Sequence, residues 1–279
     1  MRSPQAQRYG IICERLAMGI SLLSAVKITD DEINNHGINR QTHLLRSYPS
    51  WVECEGVEEI VIVDWGSDTP VSEVLEKHDK LKIIRVNPSD CKYWSFSQAF
   101  NLAARFSSCE HFVFMNADEI ILDKDEISRL DKPDHTFFYE GTWWNDKRAH
   151  GVYFLYVSKE LFWHVNAFNE RLVGYGYDDV DIRKRLENSG ARLVTPSVPI
   201  EHISHGHSHE ERENAINYGL SKYIPWTDED SLIEIKDMER KNGVLCCGIE
   251  EKDVITEEKI KDRQMVLVFI CSVNLPWLY

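Results

Sequence analysis

Four stretches of the chain are continuously apolar rather than alternating: "GISLLSAV" (19–26), "EEIVIVD" (58–64), "LKIIRV" (81–86) and "HFVFM" (111–115). Such runs suit strands covered on both faces, as in a parallel sheet, because a strand with one wet face alternates. Between them apolar positions recur at helical spacing. Ile38, Leu44, Leu45 and Tyr48 mark a helix over 38–48, and 71–78 and 95–106 read the same way. Strand–helix alternation over 19–122 predicts a Rossmann-like α/β half.

The second half is less regular. Residues 136–165 are rich in aromatics and predict strands with a short helix. A helix follows from about 178 to 189, closed by Gly190. "ARLVTPSVPI" reads as a strand, and "EHISHGHSHEERENAINY" as a polar loop leading into a helix. Beyond about 226 the chain is charged. The expectation is one domain over 1–225 and a C-terminal extension over 226–279. The final "MVLVFICSVNLPWLY" is apolar but short for a membrane span, so it reads as a packed strand, with a membrane-surface anchor as the alternative.

Composition narrows the partners. The 279 residues carry a formal net charge of -14, which argues against nucleic acid and anionic membranes, whose phosphates are bound by clustered Lys and Arg. A nucleotide is still compatible if a divalent metal offsets its charge. The seven cysteines have no regular spacing, and Cys246–Cys247 is a vicinal pair rather than a CxxC motif. With Cys, Glu and Arg interrupting the apolar start, reduced thiols in a cytoplasmic protein are expected.

Ligands of such sheets bind outside the carboxyl ends of the strands, and two of these ends carry acids, Asp64 and Asp118. In "NAD" (116–118), Asn116 and Asp118 face one ion if the segment is extended, and both suit Mg2+ or Mn2+. The alternative is an ordinary strand end, where Asn and Asp favour the turn. Asp64 either accepts a hydrogen bond from a nucleotide or caps the next turn. Arg40, at the first turn of a helix, is placed to meet a phosphate. Of the histidines in "HISHGHSH", His207 and His209 read as exposed loop residues. His202 and His205 directly follow the apolar strand, within reach of the ion at Asp118.

The densest feature is "GYGYDDVDI" (174–182), with three acids behind two glycines. Asp178 is placed to cap a helix, and Asp179 and Asp181 to enter its first turn, where the helix dipole favours carboxylates. Glycines also let a backbone approach a ligand, and an ionised carboxylate beside them serves as a general base. Salt bridges to Arg183, Lys184 or Arg185 are the structural alternative.

Taken in order, these pieces resemble metal-dependent, inverting glycosyltransferases of the GT-A fold. "EIVIVDWGSD" resembles the nucleotide-binding strand end of family 2 enzymes. "INRQTHL", "HFVFMNADEIIL" and "HVNAFNERLVGYGYDDVDIRKRL" resemble the β-1,4-galactosyltransferase group and related bacterial polysaccharide polymerases. The resemblance runs from about 19 to 223 and implies a mixed sheet flanked by helices. It implies that Arg40 contacts the diphosphate and Asp64 the base of a nucleotide-sugar, a UDP-sugar by preference. Asn116-Ala117-Asp118 stands at the family's Asp-x-Asp position, with Asp118, His205 and His202 toward Mn2+ or Mg2+.

Asp179 stands at the family's catalytic carboxylate, and Asp178 at the neighbouring acid that holds the acceptor. Tyr175 stands where the family places a Trp lining the sugars, and the resemblance implies that Tyr175 and Gly176, joined by Trp143 or Trp144, line the sugar site. The implied acceptor is a hydroxyl of a glycan or another molecule. Three departures stand out: Asn116 for the first Asp, Tyr177 for a Gly, and no stem, anchor or disulfides of the Golgi enzymes. A metal-dependent hydrolase using the 202–209 histidines and a catalytically silent sugar-binding protein are the competing readings.

Overall fold

The computed structural model describes residues 17–30, 39–91, 94–140, 153–172, 174, 176–195, 198–203, 217, 221, 226 and 233–251. The four apolar runs are strands: β1 (Ala17–Val26), β2 (Val57–Asp64), β3 (Leu81–Val86) and β4 (Cys109–Met115). β1 pairs in parallel with β2 and β4, and β2 with β3. The crossovers are α1 (Arg40–Glu53) between β1 and β2, and α3 (Phe96–Phe106) between β3 and β4. A single turn, α2 (Val71–Val74), precedes β3. The helix expected over 71–78 stops early because Glu76 to Asp79 are exposed and offer no apolar face.

Two cores lie on opposite faces of the sheet. On one, Leu22, Ile60 and Ile62 pack with Leu44, Tyr48 and Trp51 of α1. On the other, Leu23, Val61, Val63 and Ile84 pack with Phe100 and Ala103 of α3. The Asn39 side chain starts α1 by accepting from the Thr42 N–H at 2.9 Å. The helix passes through Pro49, five residues beyond the expected end at 48, because Trp51 is fully buried and its indole donates to the Glu119 carbonyl at 2.8 Å.

After β4 come a short strand β5 (Glu119–Ile121), a one-turn α4 (Glu126–Arg129), β6 (Phe137–Glu140), β7 (Phe154–Ser158), α5 (Lys159–His164) and α6 (Asp178–Asn188). β8 (Arg192–Val194) and β9 (Ile200–His202) replace the single strand expected over 191–200. Gly190, at φ +95°, follows α6 in a conformation glycine adopts without Cβ strain, as expected of its closing residue.

The hairpin β10 (Ile233–Lys241) and β11 (Val244–Glu251) joins the same sheet, with β11 parallel to β3. The nine strands run in the order β10-β11-β3-β2-β1-β4-β7-β6-β8, and β5 pairs with β9 in a separate antiparallel ladder. A boundary at 226 therefore does not separate the hairpin from the main fold. The apolar C-terminal stretch lies outside the described residues.

Candidate active site

The site is built at the carboxyl end of β4. Asn116 leaves the strand, and Ala117 and Asp118 form a turn rather than an extended segment. Asn116 and Asp118 therefore do not share a face through strand alternation. The Asn116 N–H and side-chain amide both donate to the Glu119 carboxylate, at 2.8 and 2.9 Å. Glu119 is fully buried and also accepts from the Tyr153 N–H. Burial, then the neighbouring Asp118, pushes its carboxyl well above the usual range. Asn116 thus fastens the turn to Glu119, where a ligand for the ion was expected.

The same turn presents Asp118 to β9. The Ile203 N–H donates to the Asp118 carbonyl at 2.9 Å, and Glu119 stands opposite His202 in the β5–β9 ladder. His202 Nε2 and Asp118 Oδ2 meet at 3.5 Å. This carboxylate oxygen and imidazole nitrogen are donors that fit Mn2+. Among the described residues no group of three or more His, Cys, Asp or Glu joins at one ion. His205 lies outside the described residues, as do Tyr175, Trp143 and Trp144. From α1, Ser47 Oγ fixes the Ala117 carbonyl at 2.6 Å. Arg40 is the first residue of α1, as the sequence predicts.

Asp64 departs from its nucleotide expectation. It has no exposed surface. One carboxylate oxygen accepts from the Ser67 N–H at 2.9 Å; the other accepts from the Val71 N–H at 3.1 Å and from Arg85. These bonds close the "DWGSD" turn, in which Gly66 at φ +65° leaves no room for a Cβ beside Cys91 Sγ. Asp64 caps the turn, the alternative its sequence context offered.

The three acids of the 174–182 stretch occupy three environments. Asp181 is buried and accepts from Arg185 Nε and Nη2 at 2.8 and 2.6 Å. Arg185 in turn bonds the carbonyls of Val165 and Ala167, across a turn where Asn166 and Ala167 both have positive φ. Asp181 is therefore structural. Asp178 is 6% exposed and accepts from Ser97 Oγ at 2.5 Å. Burial pushes its pKa up to about 8; Asp179 and Asp181 add to the rise and the Ser97 hydroxyl opposes it. Asp179 is exposed. Tyr177, at φ 69°, occupies the N-cap position of α6 and its side chain makes no capping bond; Asp178, expected to cap, is the first helical residue and turns inward to Ser97.

Helix α3 ties this acidic turn to the rest of the site. Ser95 caps α3 by accepting from the Gln98 N–H at 3.3 Å and donates to the Leu172 carbonyl at 3.2 Å. Ser95 and Gly174 form a parallel bridge, and the Gly174 N–H donates to the Trp94 carbonyl at 3.1 Å. The Gly176 carbonyl accepts from Asn217 Nδ2 at 2.9 Å. Beneath the turn, Glu170 is buried with Arg105 at 3.2 Å and Asn101 at 2.9 Å, and its second oxygen accepts from the Ile233 N–H at 3.2 Å.

A family model described as the N-terminal domain of galactosyltransferase matches residues 146–210, a span that contains the acidic turn and His202. No curated protein matched the chain by sequence. Solved structures did. The catalytic domain of Drosophila β-1,4-galactosyltransferase 7, in complex with xylobiose, is 14% identical, with a TM-score of 0.53 over 86% of this chain and 96% of that one. The Pyrobaculum calidifontis mannosyltransferase PcManGT, in complex with GDP-Man and Mn2+, is 15% identical, with a TM-score of 0.52 over 78% and 67%. S. aureus TarS in complex with UDP-GlcNAc is 14% identical, with a TM-score of 0.54 over 73% and 65%.

The fold is that of the GT-A glycosyltransferases. Within it, several residues that shape the site escaped the sequence reading. "SFSQ" (95–98) carries the Ser-x-x-Gln signature of a helix start, so Ser95 was within reach. Ser97, Glu119 and Arg105 have no local signal, because their partners lie far along the chain or fold back on a turn.

Proposed function

We propose that the protein is a metal-dependent, inverting glycosyltransferase that moves a sugar from a UDP-sugar to a hydroxyl of a glycan or other acceptor. One observation carries this reading. A chain of contacts joins the Asp118–His202 pair to the acidic turn: Glu119, next to Asp118, accepts from the Tyr153 N–H, the Tyr153 ring packs on Phe96, and the neighbouring Ser97 donates to Asp178. The Drosophila enzyme has been crystallised with manganese, UDP-Gal and xylobiose, which supports the same substrate classes here.

Asp118 and His202, with His205, are the residues that would hold Mn2+ or Mg2+. A bound cation there supplies charge neutralisation for the departing diphosphate. Arg40, at the N-terminus of the 14-residue α1, adds positive charge at the same end of the sheet. Asp179 is the exposed carboxylate of the acidic turn. It takes the proton of the acceptor hydroxyl as that oxygen bonds to the anomeric carbon and the nucleotide diphosphate leaves from the opposite face. Asp178 keeps its proton near neutrality, so the two adjacent acids do not both carry charge, and it positions the acceptor through the Ser97-anchored turn. Tyr175 and Gly176, with Trp144, are the proposed sugar-facing residues. A cytoplasmic setting is part of the proposal; the five described cysteines are free thiols.

The test is a screen of UDP-sugars for Mn2+-dependent UDP release, run beside Asp179→Asn. The variant is expected to lose about 10²–10⁴-fold in turnover while still binding UDP. Equal turnover would remove Asp179 from the mechanism. Sugar binding that needs no metal and releases no UDP would favour the silent sugar-binding reading.

A further inference from the structure

The phenol of Tyr153 is the polar group at this site that the steps above leave unused. Tyr153 immediately precedes β7 and is 8% exposed. Its backbone is fixed by the N–H bond to Glu119. Its ring stands edge-on to Phe96 at a centroid distance of 5.1 Å, with Phe168 at 6.2 Å and Phe100 at 6.4 Å. Phe96 lies between Ser95 and Ser97, the two residues that fasten α3 to the 172–178 turn. The ring therefore packs on the start of α3 that fastens the acidic turn, while its backbone is held at the strand end that carries Asp118.

The hydroxyl itself is buried and has no hydrogen-bond partner among the described residues. Burial first, and then the neighbouring acids Asp179, Glu140, Asp178 and Glu119, keep it protonated well above the ordinary tyrosine range. It is thus a neutral donor throughout the working pH range, and none of the four carboxylates accepts its proton. A buried donor left without a partner loses its hydration and regains nothing, so such groups are rare unless a ligand or an ordered water supplies the missing bond.

We propose that Tyr153 reads the substrate: its hydroxyl donates a hydrogen bond to an oxygen of the sugar held between Asp118 and Asp179. The inference rests on the glycosyltransferase reading above. Substrate entry brings the acceptor oxygen that the free protein lacks. The phenol thereby discriminates a sugar with an oxygen at that position from its deoxy counterpart.

Tyr153→Phe removes the oxygen and keeps the ring packing on Phe96. In the free protein it is expected to leave the melting temperature unchanged or raise it, since no bond is lost. With the UDP-sugar chosen by the donor screen and Mn2+, kcat/KM is expected to fall about 3- to 10-fold, the scale of one neutral hydrogen bond. Monodeoxy analogues of donor and acceptor complete the cycle. The analogue lacking the contacted oxygen is expected to lose rate with the wild type and to lose no more with Tyr153→Phe. A lowered melting temperature in the free variant would overturn the proposal, because the hydroxyl would then have a partner within the fold. Wild-type kcat/KM in the variant, with every deoxy penalty intact, would overturn it too. A wild type that releases no UDP would instead sink the transferase reading, a result the variant cannot mimic.

Discussion

Asp178 makes the stability of this protein depend on pH in a direction opposite to that of most carboxylates. Its pKa is raised to about 8 by burial, with Asp179 and Asp181 adding to the effect. In the unfolded chain an aspartate ionises near pH 3.9. Below about pH 4 both states hold the proton, and the contribution of this group to folding is fully present. As the pH rises the unfolded chain releases a proton that the folded chain retains, so stability is lost at up to about 1.4 kcal/mol per pH unit, levelling off above about pH 8. The full interval corresponds to about 6 kcal/mol; relaxation and water penetration around a buried carboxyl reduce this to about 2–4 kcal/mol.

Asp178→Asn removes the titration, keeps the side-chain size and retains an oxygen for the Ser97 hydroxyl, which sits 2.5 Å from Asp178 Oδ1. Urea unfolding followed by tryptophan fluorescence, at several values from about pH 4.5 to about pH 9, measures both proteins. The expected result is near-equal stability at the acid end and a gap that opens in favour of the variant, reaching a plateau near pH 8. Parallel curves, or a gap that closes as the pH rises, would refute the reasoning.

Breaking the buried pair at the base of the acidic turn gives a second test. Glu170→Gln strands the buried Arg105 guanidinium and is expected to cost about 3–5 kcal/mol in urea unfolding. Restoring the family-like acid with Asn116→Asp would set two carboxyl groups 2.9 Å apart at Glu119, so thermal unfolding should drop while calorimetric Mn2+ affinity does not rise. Asp64→Asn removes charge from a turn closed by two backbone N–H groups and Arg85. It should lower the melting temperature and leave the KM for the nucleotide-sugar within about twofold, because Asp64 has no exposed surface.

The sequence was readable where one physical signal dominated. β3 begins and ends where its apolar run does, and Asp64 and Asp118 lie at or just beyond the carboxyl ends of parallel strands, because continuous apolar segments bounded by turns suit strands covered on both faces. It misled where tertiary contacts overrode a local rule. The helix expected to end at 48 runs on through Pro49 to Glu53 because Trp51 reaches the Glu119 carbonyl. The hairpin over 233–251 was hidden by its own solubility: β10 is an edge strand whose mostly exposed positions carry acidic and basic side chains, which protects an open edge. The acidic turn was legible as a cluster and not as a division of labour. Asp181 belongs to Arg185, Asp178 to Ser97, and only Asp179 faces solvent, and nothing in four consecutive positions encodes partners up to 81 residues away.

The most direct test of the account is Mn2+ binding in the presence of UDP, followed by the loss of the free-ion electron paramagnetic resonance signal. The wild type is expected to bind the ion, and Asp118→Ala and His202→Ala each to weaken it by at least about tenfold, or about 1.4 kcal/mol, with thermal unfolding still cooperative. Unchanged Mn2+ affinity in both folded variants would contradict the claim that these two side chains form the metal corner of a sugar-transfer site.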